Sequence, residues 1–387
     1  MLPYLATQLT PYWGPFRLLA SSTVLAGLGG TAAAILVWVF LPRYFPRLPR
    51  DQGRPFVKEG EEARGKPTGA GFFLVNVTVP LAVLVVPPSL PFLEILFCLY
   101  VVMMCGYLDD CSETSWGQLK KGSLDLAVAI GASLALCQLR PYTLWLPLFK
   151  GILADGSFSL SPWIFVPIAS VLLWLAINAT NCSDGVDGLA GSLTLHSLFS
   201  LAGFLYLVVG HIGVARHLLI PHNPQGAHWA ILVVTVAGGL GGYLWHNAKP
   251  SAVLMGDAGS RFLGLLVGVA VLASGNPVLI LVCAPVVLVN GGSGLVKIAL
   301  LRILKRLGFD AAPPSSHAIN APEGHVLQQA GETRQPVLIQ LLHKVRFPLH
   351  DHCRRNMAWS DPQVLVRFML VQSLLTPVLF VLLVKLR

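Results

Sequence analysis

Charged side chains are scarce in this chain. Only 12% of its 387 residues are Asp, Glu, Lys or Arg, where a soluble domain carries about 25%. With 54% hydrophobic residues, that shortage excludes an ordinary soluble domain and implies an all-α polytopic membrane protein. The seven cysteines, at 98, 105, 111, 137, 182, 283 and 353, contain no C-x-x-C pair, which argues against a zinc knuckle and a disulfide framework. No Walker lysine motif and no Gly-rich dinucleotide fingerprint occurs. The N-terminus lacks a basic stretch followed by a small-residue cleavage site, so the first apolar run is expected to be kept as a helix. The net charge of +9 is therefore no nucleic-acid signature. It reflects basic loops on the cytoplasmic side of a membrane.

What is present is apolar sequence in runs near the roughly 20 residues that a spanning helix needs. Ten can be placed, at 18–41, 71–88, 90–108, 124–147, 162–180, 189–210, 228–246, 257–274, 277–301 and 364–385. The segment 42–70 carries Arg43, Arg47, Arg50, Arg54, Lys58, Arg64 and Lys66, so the positive-inside rule makes it cytoplasmic. Alternation then puts the loops 109–123, 181–188, 247–256 and 302–363 inside, the loops near 148–161 and 211–227 outside, and both termini outside. Of the 27 Lys and Arg, only Arg17, Arg140, Lys150, Arg216, Lys385 and Arg387 fall on or near the outer side. One integral-membrane domain, 1–387, is expected. His211, His217, His222 and His228 lack tight ligand spacing and read as a solvated outer loop.

Every polar motif falls on the cytoplasmic side. Asn178 to Gly191, NATNCSDGVDGLAG, places Asp184 and Asp187 where a membrane helix meets water, on one face if the segment is helical. Carboxylates at such a boundary are costly and mark a functional site by default. The run 90–108 ends in Asp109-Asp110, adjacent acids whose repulsion a cation relieves. Hard oxygen ligands suit Mg²⁺, held by one or two carboxylates plus substrate phosphates. Lys120 and Lys121, in the same loop, are placed to face a diphosphate. Met255-Gly-Asp257-Ala-Gly-Ser260 opens another helix, so Asp257 reads either as a site for a metal-bridged phosphate or as a carboxylate N-cap. Arg64, Lys66 and Thr68 lead into the run 71–88 and read either as a phosphate approach or as a basic loop drawn to anionic membrane lipid. His350-Asp351-His352, with arginines nearby, suits phosphate or carboxylate contacts. Together these residues fit phosphoryl transfer between a nucleotide-linked donor and a lipid phosphate, with Mg²⁺ between them.

Four of these motifs, in order, resemble the phospho-N-acetylmuramoyl-pentapeptide transferases within the polyprenyl-phosphate N-acetylhexosamine-1-phosphate transferases (glycosyltransferase family 4). GYLDD (106–110) is similar to the family's GFLDD, and NATNCSDGVDGLAG to NxVNLTDGLDGLA. HNAKPSAVLMGDAGS (246–260) is similar to NAYPAxVFMGDxGS, and FPLHDH followed by WSDPQVLVRF to PIHHH followed by WPExxVIVRF. The resemblance runs from about Lys58 to the C-terminus.

The resemblance implies ten transmembrane helices with both termini periplasmic, in a bacterial inner membrane, and a homodimer. It implies transfer of phospho-N-acetylmuramoyl-pentapeptide from its UDP conjugate to undecaprenyl phosphate, giving lipid I and UMP, the first membrane step of peptidoglycan synthesis. It implies Mg²⁺ on Asp257, with Asp184 and Asp109 as further ligands. Asp109 and Asp110 would sit at the metal and the lipid phosphate, and His350 would serve catalysis. Arg64, Lys66, Thr68, Lys120, Lys121, Asn181, Asp184, Asp187, Asn247, Ser260 and His352 would line the substrates. The chain departs from the pattern at Asp351, where the family has the middle histidine, at Glu113, where it has a lysine, at ARGKPTGAG (63–71) for KKGTPTMGG, and in a longer 305–346 segment. Competing readings are a sister enzyme moving N-acetylglucosamine-1-phosphate, a secondary transporter, and an inactive lipid-binding homologue. The PLHDH…W…VLVRF arrangement favours the muramoyl-pentapeptide donor, and the acids cluster at the inner boundary rather than mid-helix, against transport.

Overall fold

The computed structural model describes residues 1–53, 63–153, 156–307, 309, 342 and 344–386. Residues 54–62, with Arg54 and Lys58, and most of the long 305–346 segment lie outside the described residues. The helices are α1 (Leu2–Leu9), α2 (Ser22–Tyr44), α3 (Ala70–Val85), α4 (Leu90–Asp110), α5 (Gln118–Cys137), α6 (Pro162–Ser183), α7 (Leu189–Gly203), α8 (Ile212–His217), α9 (Gly226–Asn247), α10 (Gly256–Ala273), α11 (Leu279–Cys283), α12 (Pro285–Val287), α13 (Ser293–Arg306), α14 (Leu349–Asn356) and α15 (Asp361–Lys385).

Among the described residues, eight helical stretches are long and apolar enough to cross a membrane: Ser22–Arg47, Leu90–Asp110, Pro162–Ser183, Leu189–Val209, Gly226–Asn247, Gly256–Ala273, Pro285–Arg306 and Asp361–Lys385. The chain is thus a mostly helical, multi-pass membrane protein. Two of the ten expected runs fall short of that standard. The run 71–88 forms α3, of only 16 residues. The run 124–147 starts earlier than its hydropathy shows, so α5 carries Lys120, Lys121 and Asp125.

That run also stops early. Helix α5 closes at Cys137 with Gln138 in the left-handed region, at φ 50°, and Pro141 bars the helical conformation for the residue before it. Tyr142–Leu144 is instead a strand, paired antiparallel with Phe158–Leu160. The ninth run, 277–301, also breaks. Ala284 leaves helical geometry at φ −129°, ψ 40°, ahead of Pro285, whose ring cannot continue the preceding turn. The chain resumes through α12, a wide helical turn at Leu288–Gly292, and α13.

Helix α10 is the axis of the molecule. Every residue from Asp257 to Ala273 is buried, and α3, α4, α6 and α7 pack around it. In lipid, helices gain little from apolar burial against one another, so close packing through small residues must hold them. Gly106 of α4 shows this. A Cβ there would collide with the carbonyl of Asp257 and the amide of Ala258, which are backbone atoms that cannot swing aside. Ser360 and Gln363 form a reciprocal cap at the start of α15, a sequence-readable helix start.

Gly106→Ala should therefore lower stability by about 1–3 kcal/mol through overpacking. Gly27→Ala, where a new methyl meets nothing within 4 Å, should be neutral or stabilising by about 0.5–1 kcal/mol. Thermal unfolding of both variants in detergent checks this, and equal shifts would contradict the packing argument.

Candidate active site

Three segments meet at the N-terminal end of α10. Gly256 turns the chain into the helix at φ +73°, a conformation glycine adopts freely. The next two backbone N–H groups, of Asp257 and Ala258, donate to the two carboxylate oxygens of Asp110 at 2.9 and 3.0 Å. Asp110, the last residue of α4, thus satisfies two of the donors that a helix start leaves unpaired. Asp109 beside it accepts from the backbone N–H of Trp116 at 2.7 Å and pairs with Lys121.

Lys121 bridges. Its Nζ also lies 3.0 Å from Asp257, so one ammonium joins two buried carboxylates. Asn181, in the last turn of α6, donates to Asp257 at 3.0 Å and to Ser260 at 3.1 Å. Arg261, one turn beyond Asp257, pairs with it at 3.1 Å and with Asp125 of α5 at 3.0 Å. Arg261 and Asp125 are each 2% exposed, so the pair is shut off from solvent. The structure therefore gathers Asp109, Asp110, Lys121, Asn181, Asp257 and Ser260 into one cluster.

A second group adjoins the loop after α9. Asn247 accepts from the Gly188 backbone N–H at 2.8 Å and donates to the Val253 carbonyl. Ser251 donates its backbone N–H to Asp187 at 3.4 Å, and Lys66 donates to the Ser251 hydroxyl at 3.2 Å. Thr68 is buried, its backbone N–H on the Pro49 carbonyl, while Arg64 lies exposed in the preceding turn. Asp184 ends α6 with its backbone N–H on the Asn181 carbonyl. The segment 184–188 is not helical, and Gly188 sits at φ +76°, so Asp184 and Asp187 do not share a helix face as their spacing suggests. Lys120 stacks on the Trp116 ring at 3.3 Å from its centroid.

The histidine loop forms α14. His350 is buried, with Asn290 as its partner through both backbone N–H and ring. Burial pushes the His350 imidazole down to about 4, against partial upward pulls from Asp351 and Asp361, so the ring is neutral at physiological pH. His352 accepts from the Arg346 backbone N–H at 3.3 Å. Asp351 pairs with Arg355 at 2.8 Å near the surface.

Among the described residues, no three His, Cys, Asp or Glu side chains converge as a metal-holding group. The convergence that exists is two carboxylates on one ammonium. Asp125, Arg261 and Asn290 lie outside the residues that the sequence motifs single out. An acid inside an apolar run is the signal that marks Asp125, and the i,i+4 step from Asp257 marks Arg261.

Removing one partner of a buried pair strands the other. Arg261→Met should cost about 3–5 kcal/mol, and adding Asp125→Leu should return at least about 1 kcal/mol of it as coupling. Additive losses in denaturant unfolding would show the pair to be independent. His350, depressed from 6.5 to about 4, is unprotonated in the fold where the unfolded chain takes up a proton. Stability tied to it is present above pH 6.5 and is lost as pH falls toward 4. His350→Gln should flatten that part of the pH–stability curve.

Comparisons with known proteins agree along the chain. Residues 92–275 match glycosyl transferase family 4. The phospho-N-acetylmuramoyl-pentapeptide-transferase of Treponema pallidum (strain Nichols) is 43% identical over 379 residues, covering 97% of this chain and 94% of that protein. The proteins of the same name from Bartonella quintana (strain Toulouse) and Chloroherpeton thalassium are 29% and 27% identical, over 84% and 97% of this chain and 90% and 97% of their own lengths.

Proposed function

Because the chain belongs to the phospho-N-acetylmuramoyl-pentapeptide-transferase family, we propose that it joins UDP-N-acetylmuramoyl-pentapeptide to undecaprenyl phosphate, giving lipid I and UMP, the first membrane step of peptidoglycan synthesis. The observation that carries this reading is the cluster at the start of α10. Asp109, Lys121, Asp257 and Asn181 are drawn together there by contacts of about 3 Å or less.

In the transfer, an oxygen of the lipid phosphate bonds to the phosphorus that bears the amino sugar. The bond from that phosphorus to the bridging oxygen breaks, and UMP leaves with the electron pair. Such a step needs positioning and charge neutralisation more than covalent help from the protein. A phosphate monoester has its second pKa near 6, so at neutral pH most of the lipid phosphate is already dianionic. Both oxygens of Asp110 are engaged by backbone N–H groups, which suits it to holding α10 in register. Asp109 remains the better placed of the two to face the acceptor.

Mg²⁺ is the proposed cofactor, and the donor set fits it. Two carboxylates already share a cation, and Mg²⁺ binds through one or two carboxylates plus substrate phosphates. Asp257 and Asp109 would hold it, while Asp184, the third ligand that the resemblance implies, does not converge with them among the described side chains. Bound there, the ion would neutralise charge developing on the transferred and leaving phosphates. Lys121 then becomes free to meet the diphosphate. Asp187, Asn247, Ser260, Lys66, Thr68, Arg64, Lys120 and His352 are the proposed contacts to nucleotide and sugar, and His350 faces the donor. The proposed topology adds α3 and α5 to the eight spans, with both termini periplasmic, in the bacterial inner membrane. Helix α3, of 16 residues, is about 24 Å long at 1.5 Å per residue, a short but workable crossing. A homodimer is proposed on family grounds.

The test is UMP release by purified protein in detergent with undecaprenyl phosphate, Mg²⁺ and either UDP-N-acetylmuramoyl-pentapeptide or UDP-N-acetylglucosamine. UMP is expected from the muramoyl donor alone, is lost on chelation, and falls at least about 100-fold in Asp257→Ala. Release from the N-acetylglucosamine donor alone would move the chain to the sister activity.

A further inference from the structure

His350 and Asn290 fix each other's hydrogen positions. The backbone N–H of His350 lies 2.9 Å from Oδ1 of Asn290, and the ring Nδ1 lies 3.1 Å from the same oxygen. A backbone N–H can only donate, so the atom facing it is the amide's oxygen and not its nitrogen. That contact settles the amide orientation, which side-chain contacts alone leave open. The same oxygen faces Nδ1. Two acceptors would repel at that distance, so Nδ1 carries a proton. Burial keeps the ring neutral, and a neutral imidazole with Nδ1–H holds a lone pair at Nε2.

The direction of that lone pair is also set. The ring lies against Gly185, where a Cβ would strike Nε2 first and Cε1 next. Nε2 therefore looks at the 184–188 loop, between the two aspartates of the donor site. Asn290 itself is 1% exposed and sits in the wide turn Leu288–Gly292. Such one-turn widenings inside helices recur at functional sites.

We propose that Asn290 is a positioning residue that holds His350 in the Nδ1–H tautomer and presents Nε2 as a hydrogen-bond acceptor to an N–H or O–H group of the donor substrate. This rests on the reading that His350 faces the donor. It replaces a phosphate contact at His350 with recognition of a hydroxyl or amide, because a lone pair repels phosphate oxygens. Substrate binding then selects for a donor group at this point of the sugar, peptide or base.

The test combines ¹⁵N-histidine spectra of the full chain in detergent with steady-state kinetics for UDP-N-acetylmuramoyl-pentapeptide. His350→Gln identifies the His350 signals. Wild type should show Nδ1 protonated and Nε2 bare. Asn290→Leu should lose that signature and about 10-fold in kcat, the low end of the loss seen when the partner that orients a metal-bound histidine is removed. Asn290→Asp, which keeps an acceptor oxygen, should retain the signature and turn over faster than Asn290→Leu. An Nε2-protonated His350 in wild type overturns the inference without needing any variant to fold. So does an unchanged spectrum and turnover in Asn290→Leu. Wild-type turnover in His350→Gln would instead remove the reading beneath it, and the inference with it.

Discussion

Two hydrogen bonds from the start of α10 to the Asp110 carboxylate are the constraint on which the rest of the site depends. A helix buried along its whole length cannot send its first N–H groups to water, and an unpaired buried donor costs about 1–3 kcal/mol. Asp110 satisfies two of them at once and complements the positive end of the helix dipole. Because Asp110 closes α4, the bond also fixes how deep α4 and α10 sit relative to each other. Gly106, one turn earlier in α4, must then lie against the Asp257 carbonyl. Capping, register and glycine are one requirement seen three ways, and its result is that Asp109 and Asp257 face the same space.

That space is electrostatically unbalanced. Asp109, Asp110, Asp125 and Asp257 meet only two side-chain cations, Lys121 and Arg261, among the contacts described. Burying like charges is tolerable only if each has a partner, and the partners here are graded. Arg261 is locked on both sides by Asp125 and Asp257 and works as a fixed brace. Lys121 sits on a long flexible stem with a side chain 19% exposed, and it can leave without breaking the brace. The arrangement thus separates an enclosed cation that braces Asp257 and Asp125 from a more exposed one that bridges Asp257 and Asp109. Glu113, where the family pattern has a lysine, is exposed, and the cation that bridges Asp109 and Asp257 is Lys121.

The sequence was most legible where apolar runs end. Asp109-Asp110, Asn181 and Asp257 all lie at such ends, and the structure brings all four together. Local patterns failed where the deciding contact is distant or the backbone irregular. Asp125 stands out as an acid inside an apolar run, but its partner, Arg261, is 136 residues away, and no periodicity carries that pairing. The i,i+3 spacing of Asp184 and Asp187 gives a shared face only in a helix, and residue counting does not show that 184–188 is non-helical, with Gly188 in a left-handed conformation. The run 124–147 ran too long because hydropathy continues through Pro141 although the helix cannot. Asn290 is a polar residue in a membrane helix that gains meaning only once α14 folds back onto it.

The departure at Asp351 has the same kind of answer. On a helix, neighbouring residues point about 100° apart, whereas residues four apart share a face. His350 and Arg354 are both 4% exposed and form the inner face of α14. Asp351 and Arg355 form the next face, pair with each other, and keep side-chain exposures of 27% and 29%. Replacing the family's middle histidine by an aspartate therefore changes the outward face of α14 and adds a surface ion pair worth at most about 1 kcal/mol. The inner histidine keeps Asn290 as its partner. Three consecutive positions in a motif need not be three positions in a site, and here the one that differs is the one the helix turns away from Asn290.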